Sequence, residues 1–283
     1  ASDETKTANT PTVPAAGLGN GPLSLVVSGI RQLTPIFRAI ELRDPHGADL
    51  PKVEAGSHLK LPVILSNGKT AVRHYSIASN PARRDIYEIA VLREDQGEGG
   101  SAFVHQYYQL GSLLHCELPK NDFRLSSNAR SALLIAGGIG ITAIKPMAQT
   151  LAASGNAFEM HYAAASQGDM AFGDRLRRDL GAQLHCYFSD QGPRLAIDEL
   201  LQNADKDSDI YVCGPSRLID AVLEAAKRYG FDEEQVHYEH FSATKTIENR
   251  PFNVVLKRSN KVIPIQANQT VLQALDDAGI DTL

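Results

Sequence analysis

The sequence contains no tryptophan and only three cysteines, an odd number without any C-x-x-C pair. Cys116, Cys186 and Cys213 stand far apart in the chain, so their spacing predicts neither a disulfide framework nor a cysteine-ligated metal site. Scattered, reduced thiols are typical of proteins from a reducing compartment. We therefore expect a cytoplasmic protein.

Long apolar runs and an excess of basic residues are also missing. No apolar run approaches about 18 residues, which predicts no membrane span, and the N-terminus lacks the basic-then-apolar pattern of a secretory signal. The net charge of −5, without a basic arm, gives no reason to expect nucleic acid. Spacing does not group the histidines, so we expect structural or surface roles and no metal site for His115, His161, His185 and His237.

The first part of the chain reads as a tail followed by a β-domain. Residues 1–21 are polar and rich in Ala, Thr, Pro and Gly, which predicts a flexible tail. Residues 22–127 carry short apolar or alternating runs separated by turns, which predicts an antiparallel β-barrel. Its strands are expected at residues 23–27, 37–42, 58–63, 73–77 and 87–92.

The character of the sequence changes over residues 128–242. Residues 132–136 form a short continuous apolar run, as expected of a parallel strand covered on both faces. Predicted helices and strands then alternate, which indicates a doubly wound parallel α/β sheet. The helices are expected up to residue 154 and at 173–180, 194–202 and 216–229, and the strands at 159–164, 183–188 and 210–213.

The last segment has a different pattern. Residues 243–250 are polar and predict a linker, and residues 251–283 predict two strands, at 252–256 and 261–266, before a helix at 270–279. Thr270 and Gln273 have the spacing of a capping box, and Gly279 stands where a helix ends.

The predicted barrel strand at 73–77 carries the residue types of a phosphate and ring site. Alternation places Arg73 and Tyr75 on one face of the strand and His74 and Ser76 on the other. Arg73 is suited to clamp a phosphate through two hydrogen bonds, Tyr75 to stack on a planar ring, and Ser76 to meet a ring heteroatom. An ordinary barrel strand is the open alternative.

The glycine-rich residues 97–101 precede a helix predicted to begin at Ser101. Glycines allow the backbone to approach a ligand closely, and the start of a helix offers free N–H groups to a phosphate. A flexible hairpin loop ending in a helix N-cap is the alternative.

Two turns in the α/β segment are candidate dinucleotide contacts. The sequence A-G-G-I-G-I-T at residues 136–142 follows the buried strand, where such sheets bind a pyrophosphate. The C-G-P turn at 213–215 ends another strand at the carboxyl edge of the sheet, where ligands also bind. A buried structural thiol before a Gly-Pro turn is the alternative for Cys213.

The order of these motifs is informative. The R-x-Y-S strand, the G-G-S loop, the G-G-I-G-I-T turn, the C-G-P turn and a closing E-H-F at 239–241 occur in the order of the ferredoxin–NADP reductase superfamily. Residues 22–283 resemble the phthalate dioxygenase reductase family, the reductases of two-component Rieske oxygenases. The resemblance implies hydride transfer from NADH to FMN in the barrel. It also implies electron transfer through a 2Fe–2S cluster to a terminal oxygenase or demethylase.

The resemblance further implies a role for each motif residue. Ser76 and Cys213 would be the catalytic residues, with Cys213 near the nicotinamide. The residues implied to bind the flavin are Arg73, His74, Tyr75, Ser76, Ala90, Leu92, Gly99, Gly100, Ser101 and Phe241. Those implied to meet the dinucleotide are Gly137, Gly138, Gly140, Thr142, Cys213, Gly214 and Pro215.

The residues after the second α/β strand favour NADH over NADPH. The 2′-phosphate of NADPH needs cationic partners there, and residues 165–169 contain no Lys or Arg. Ser166 and Asp169 are instead candidates for the nucleotide site, where Asp169 suits a ribose hydroxyl and would repel a phosphate. Arg175 is close enough in sequence to keep NADPH open.

The sequence departs from the family pattern in two places. Ala143 follows the G-I-T, where relatives usually have proline, and the proline comes at Pro146, so a shifted helix start is expected. Glu98 is acidic where relatives tend to have a basic residue, which weakens charge neutralisation of a phosphate in that loop.

The resemblance at residues 251–283 is to the start of a plant-type ferredoxin domain. In that family the cluster cysteines follow shortly after the point that corresponds to Leu283, and residues 251–283 contain none. We therefore expect a fragment that carries flavin but no iron. Two alternatives remain open: a flavin reductase that serves a cytochrome P450 or another acceptor, and an electron-transfer subunit of a larger complex.

Overall fold

The computed structural model describes residues 16–128, 130–241, 252–256, 261–265, 274–275 and 277–280. The chain divides into two compact units, Ala1–Phe241 and Ser242–Leu283. The larger unit contains a β-barrel followed by an α/β layer, and the smaller contains a β-hairpin. Within the described residues, no helix is long and apolar enough to cross a membrane.

The barrel is built from seven described strands and one helix. They are β1 Leu18–Gly19, β2 Leu23–Gln32, β3 Phe37–Arg43, β4 His58–Ile64, β5 Thr70–Ser76, β6 Tyr87–Leu92, α1 Gly100–Tyr107 and β7 Leu113–Cys116. One sheet has the order β1-β7-β2-β3-β6, and β4 pairs with β5. Both sheets share one apolar core, because Ile40 of β3 and Leu61 of β4 lie in the same buried cluster. The predicted antiparallel barrel is confirmed, apart from the short parallel pairing of β1 with β7.

Part of the predicted flexible tail is ordered. Leu18 is buried and pairs with Leu114 of β7, whereas residues 1–15 lie outside the described part of the chain. The glycines that indicated flexibility have a packing role here. A Cβ at Gly21 would lie 2.1 Å from the carbonyl carbon of Cys116, so only glycine allows this approach of the two backbones.

The α/β layer has the predicted alternation of strands and helices. Its elements are β8 Ala132–Gly137, α2 Ile141–Ser154, β9 Phe158–Ala164, α3 Gly173–Leu180, β10 Leu184–Phe188, α4 Ile197–Asn203, β11 Asp209–Gly214, α5 Ser216–Arg228 and β12 Val236–His240. All five strands are parallel, in the order β10-β9-β8-β11-β12. Leu134 packs with α2 and α3, and Ile135 packs with α4 and α5, so both faces of β8 are covered. The doubly wound sheet is confirmed.

One helix start differs from expectation. The helix predicted from residue 194 begins at Ile197, because Ala196 is extended with φ −93° and ψ 90°. α2 begins at Ile141, directly after a 3-10 turn at Gly138–Gly140, and contains Pro146. That its start is shifted relative to the family pattern stays a prediction. Pro146 has no N–H to donate to the preceding turn, so one hydrogen bond of the helix is missing.

The smaller unit confirms the two predicted strands. β13 Phe252–Leu256 and β14 Lys261–Ile265 pair in antiparallel fashion. Ile263 is buried together with Ala274, which belongs to the predicted last helix. Gly279 has φ +69°, as expected after a helix end, and Thr270 and Gln273 lie outside the described residues. That this segment is ferredoxin-like stays a prediction.

Gly140→Ala should destabilise the larger unit by about 1–3 kcal/mol, the usual cost of overpacking. A Cβ at this position would lie 2.0 Å from the backbone oxygen of Cys213, so the turn must move away from β11. Urea unfolding followed by far-UV circular dichroism measures the change. Gly168→Ala is the control, because its Cβ would meet nothing closer than 3.7 Å, and equal stability of both variants would contradict the close approach.

Candidate flavin and dinucleotide site

The turn after β8 and the turn after β11 touch at the centre of the sheet. A Cβ on Gly137 would lie 2.7 Å from Cδ2 of Leu218 and 3.0 Å from Cδ of Pro215. Gly214 has φ +159°, and a Cβ there would lie 3.1 Å from Cα of Gly137. Between β8 and β11 the chain reverses the direction in which strands are added, and open α/β sheets bind ligands at such a point.

The residues of these two turns offer mostly backbone groups to a ligand. Gly138 has φ +54° and open space where a side chain would be, so a ligand can approach its backbone closely. The hydroxyl of Thr142 donates to the carbonyl oxygen of Ile139 at 2.9 Å, and the side chain is buried. Thr142 therefore holds the turn together, and its hydroxyl hydrogen is already used.

The predicted ribose-binding residues form a closed turn after β9. The Ser166 hydroxyl donates to Oδ2 of Asp169 at 2.8 Å and accepts the Asp169 backbone N–H at 3.3 Å. Arg175 extends towards the barrel instead, where its Nη1 lies 3.9 Å from Oε1 of the buried Glu88. In the described part of the chain, the Arg175 guanidinium therefore pairs with the carboxylate of Glu88 and not with that of Asp169.

The barrel strand β5 has the expected alternation. Arg73 and Tyr75 are half-buried on one face, and burial raises the pKa of the Tyr75 hydroxyl. His74 is exposed and stacks on His58 with ring centroids 5.1 Å apart. Ser76 is buried, and its hydroxyl oxygen has no hydrogen-bond partner in the described part of the chain. Such an orphaned hydroxyl is costly unless a ligand satisfies it.

Arg73 lies against the first turn of α1. Its Nη2 is 2.6 Å from Oε2 of Glu98, and a Cβ on Gly100 would lie 2.8 Å from its Nε. Gly99 has φ +96°, and a Cβ there would lie 2.3 Å from the Ser66 hydroxyl oxygen. The strand β5 and the glycine loop at residues 97–101, 21 or more positions apart in the chain, are therefore in contact through the Arg73 side chain.

Ser101, the last residue of the predicted G-G-S loop, lies inside α1 rather than at its start, because the helix begins at Gly100. Its hydroxyl oxygen accepts the backbone N–H of Glu94 at 3.0 Å. The hydroxyl hydrogen remains available to an acceptor such as a phosphate oxygen.

An apolar cluster joins the barrel to the sheet at Cys213. Ala78 and Ala90 of the barrel belong to the same buried cluster as Cys213, and Leu92 and Phe241 pack against it. Burial raises the pKa of the Cys213 thiol well above its usual value. The sulfur is therefore a neutral thiol in ordinary conditions and not an activated nucleophile.

Glu239 is a candidate site residue to which the sequence motif gave no role. It pairs in register with Cys213 across β11 and β12, and its Oε2 is buried without a partner among the described residues. Burial, reinforced by the negative charge of Asp122, raises the pKa of this carboxyl to about 7. A carboxyl so perturbed beside a candidate site indicates a functional group. Its position two residues before Phe241 in the E-H-F motif was the sequence signal that could have identified it.

Lys145 is a second residue that motif reasoning missed. It is fully buried in α2, donates to the Ala78 carbonyl oxygen at 2.8 Å, and has its ammonium 5.1 Å from the ring centre of Phe172. Burial lowers the pKa of the amine to about 8. A cavity of 270 Å³ lies beside Lys145, between the barrel and α3, and none of the predicted cofactor residues line it. A lysine within an apolar helical stretch was the sequence signal.

The histidines fall into two groups. His115 is hydrogen-bonded through Nδ1 to the Ser24 hydroxyl, and His237 stacks on Tyr211 with ring centroids 4.5 Å apart, which agrees with structural roles. Sequence spacing does not group His161 and His185, but the fold brings them together, and their rings stack with centroids 4.7 Å apart. Their residues are 24 positions apart, and only strand register brings them together.

A β-barrel followed by a doubly wound parallel sheet, with two backbone turns in contact at its switch point, is the architecture of flavin-dependent reductases that oxidise a pyridine nucleotide. A family model described as "Dimethylamine monooxygenase subunit DmmA-like, N-terminal domain" matches residues 114–236. The carnitine monooxygenase reductase subunit of Acinetobacter baumannii is 35% identical over 258 residues, which cover 90% of this chain and 79% of that protein.

Solved structures show the same relationship. The structure of phthalate dioxygenase reductase matches with TM-score 0.72 and 33% identity, covering 92% of this chain and 81% of that one. An intact type IV self-sufficient cytochrome P450 monooxygenase matches with TM-score 0.74 and 37% identity, covering 92% of this chain but 34% of that one. The chain belongs to the phthalate dioxygenase reductase family of flavin- and pyridine-nucleotide-dependent oxygenase reductases.

Glu239→Gln should stabilise the protein increasingly as the pH rises. The pKa of the Glu239 carboxyl is 4.5 in the unfolded chain and about 7 in the folded protein. The folded state therefore binds the proton more tightly, and the wild type loses stability as the pH rises from about 4.5 to about 7. The gain of the Gln variant over the wild type should grow by roughly 2–3 kcal/mol between about pH 5 and about pH 8. Urea unfolding of both proteins at the two pH values measures it, and a constant difference would contradict the raised pKa.

Proposed function

We propose that this reductase oxidises NADH, holds FMN in its barrel, and supplies electrons one at a time to a Rieske-type oxygenase or demethylase. The observation that carries the proposal is the junction at Cys213. There the carboxyl edge of the nucleotide sheet meets barrel residues Ala78 and Ala90 in one apolar cluster. A ring bound on β5 and a ring bound at the C-G-P turn would both face this water-poor region.

The barrel residues fit a flavin mononucleotide. Arg73 and the backbone of Gly99 and Gly100 would hold one phosphate at the start of α1, where the helix favours negative charge. Tyr75 would stack on the ring, and the unpaired Ser76 hydroxyl would donate to a ring heteroatom. The other residues assigned to the flavin are His74, Ala90, Leu92, Ser101 and Phe241.

Glu98 competes with the phosphate for Arg73. Its carboxylate forms the 2.6 Å ion pair described above with the same guanidinium that would meet the FMN phosphate. The pair is partly exposed, at 28% and 44%, so little stability is lost by breaking it. Glu98 therefore keeps the guanidinium oriented towards the glycine loop between binding events.

The α/β residues fit NADH. The turns with Gly137, Gly138 and Gly140 on one side, and Gly214 and Pro215 on the other, would hold the pyrophosphate and nicotinamide through backbone groups. Thr142 would support the first turn rather than touch the ligand. Ser166 and Asp169 would meet the adenosine ribose, and the commitment of Arg175 to Glu88 supports NADH over NADPH.

The chain's residues position and desolvate the reacting groups. A flavin held by Arg73, Tyr75 and Ser76 would supply the hydride-accepting and one-electron chemistry. Ser76 and Cys213 are the residues that we assign to the catalytic contact. The Ser76 hydroxyl would orient the ring, and the neutral Cys213 thiol would pack against the nicotinamide and exclude water. Glu239, with its carboxyl pKa near 7, holds a proton at Oε2 on the acidic side of neutrality.

The acceptor is proposed from the family. A Rieske-type oxygenase that receives electrons through a 2Fe–2S cluster is the first candidate. Residues 251–283 contain no cysteine, so the four thiolates of a plant-type cluster would have to come from another stretch of polypeptide. The match to a self-sufficient cytochrome P450 keeps a haem acceptor as the second candidate. The three free cysteines support a cytoplasmic location.

Arg73→Ala should weaken FMN binding about ten- to a hundredfold, because a charged hydrogen-bonded pair contributes roughly 1.5–3 kcal/mol. Flavin fluorescence titration of the deflavinated variant measures the affinity. Arg93→Ala is the matched control, since Arg93 pairs with Asp95 at the surface and should leave the affinity unchanged. Mass spectrometry of the released cofactor identifies it, and stoichiometric FAD would refute the FMN assignment.

NADH should reduce the bound flavin faster than NADPH at equal concentration. Anaerobic stopped-flow absorbance of the flavin band compares the two nucleotides, and steady-state turnover with ferricyanide gives both kcat/KM values. Asp169→Asn should narrow the difference, because it removes a charge that repels a 2′-phosphate. A preference for NADPH in the wild type would overturn the nucleotide assignment, and no flavin reduction by either would overturn the function.

A further inference from the structure

A cluster of metal-ligand side chains lies at the edge of the nucleotide sheet. On β9, Glu159 and His161 alternate with Met160, which is buried towards α2 and α3. Alternation therefore places Glu159 and His161 on the other face of the sheet. His185 of the edge strand β10 pairs in register with His161 and shares this face.

The donor atoms in this cluster converge. Nε2 of His161 is 3.3 Å from Oε2 of Glu159, and the rings of His161 and His185 stack with an interplanar angle of 12°. One donor atom from each of the three residues lies within 4.8 Å of the other two. The Glu159 side chain is 61% exposed, which leaves it room to turn towards the two imidazoles.

A neighbouring hydroxyl orients the buried imidazole as in metal sites. Nε2 of His161 donates to Oε2 of Glu159 at 3.3 Å, and Nδ1 accepts from the Tyr187 hydroxyl at 2.9 Å. Binding of a metal at Nε2 would move the ring hydrogen to Nδ1, which would then donate to the Tyr187 hydroxyl oxygen. Metal-bound histidines almost always use their second nitrogen in such a hydrogen bond.

We propose that Glu159, His161 and His185 bind one divalent transition-metal ion of the Zn²⁺ type. Two imidazole nitrogens and one carboxylate oxygen suit Zn²⁺, and a water would complete a four-coordinate site. The oxygen-only preference of Mg²⁺ and Ca²⁺ excludes them. The ion would hold the edge strand β10 against β9. Its three ligands are not among the residues that we assign to the flavin and the nucleotide.

Calorimetric titration of the flavin-loaded chain with ZnCl2, after treatment with EDTA and desalting, tests the site. We expect one saturable site per chain and a higher melting temperature with the metal. Glu159→Gln and His185→Ala should each weaken binding at least about tenfold, whereas His46→Ala, at an exposed turn, should not. Absence of saturable binding, or equal binding by the Glu159→Gln/His185→Ala double variant, would overturn the proposal.

Two further measurements separate a metal site from a stacked histidine pair. Tyr187→Phe keeps all three ligands but removes the hydrogen bond to Nδ1, and it should weaken Zn²⁺ binding about ten- to a hundredfold. Electron paramagnetic resonance of the Cu²⁺-loaded chain should show hyperfine splitting from two nitrogens, reduced to one in His185→Ala. Unchanged affinity in Tyr187→Phe, or a Cu²⁺ spectrum without nitrogen splitting, contradicts the assignment.

Discussion

The contact between two backbone turns at the centre of the sheet is the constraint on which the larger unit depends. Gly140 approaches the backbone of Cys213 so closely that a methyl group would overlap its oxygen. This contact fixes the start of α2 against the end of β11, and hence the dinucleotide turn against the thiol. A Cβ on Gly138 would meet no atom within 4 Å, so a pyrophosphate bound at this turn would approach the peptide groups directly.

A buried ammonium group connects helix α2 to the barrel. Lys145 lies in the first turns of α2 and donates to the carbonyl of Ala78, two residues after Ser76. An ammonium removed from water needs such a partner, because an unpaired buried charge is very costly. The barrel strand that we assign to the flavin is therefore connected to the helix that follows the G-G-I-G-I-T turn. The neutral thiol of Cys213 and, on the acidic side of neutrality, the protonated carboxyl of Glu239 leave the junction uncharged.

Local patterns were sufficient to predict most of the elements. The continuous apolar run at residues 132–136 indicated a strand covered on both faces, and the alternation at Arg73 and Tyr75 indicated a strand with one half-buried face. Both signals depend on periodicity within one element, which the sequence carries directly. The order of the motifs then indicated the family. Of the candidate site residues, Ala90 and Cys213 lie in one apolar cluster, and Leu92 and Phe241 pack against it.

What only the tertiary structure decided concerns residues far apart in the chain. The sequence showed glycines before residue 22 but not the strand β7 against which Gly21 packs. The glycines therefore indicated a flexible tail, although Gly21 is needed for close packing of two backbones. It showed Glu239 but not the burial that raises its carboxyl pKa, and it showed His161 and His185 but not the register that stacks them. Register, burial and desolvation depend on contacts between distant segments, and no local period encodes such contacts.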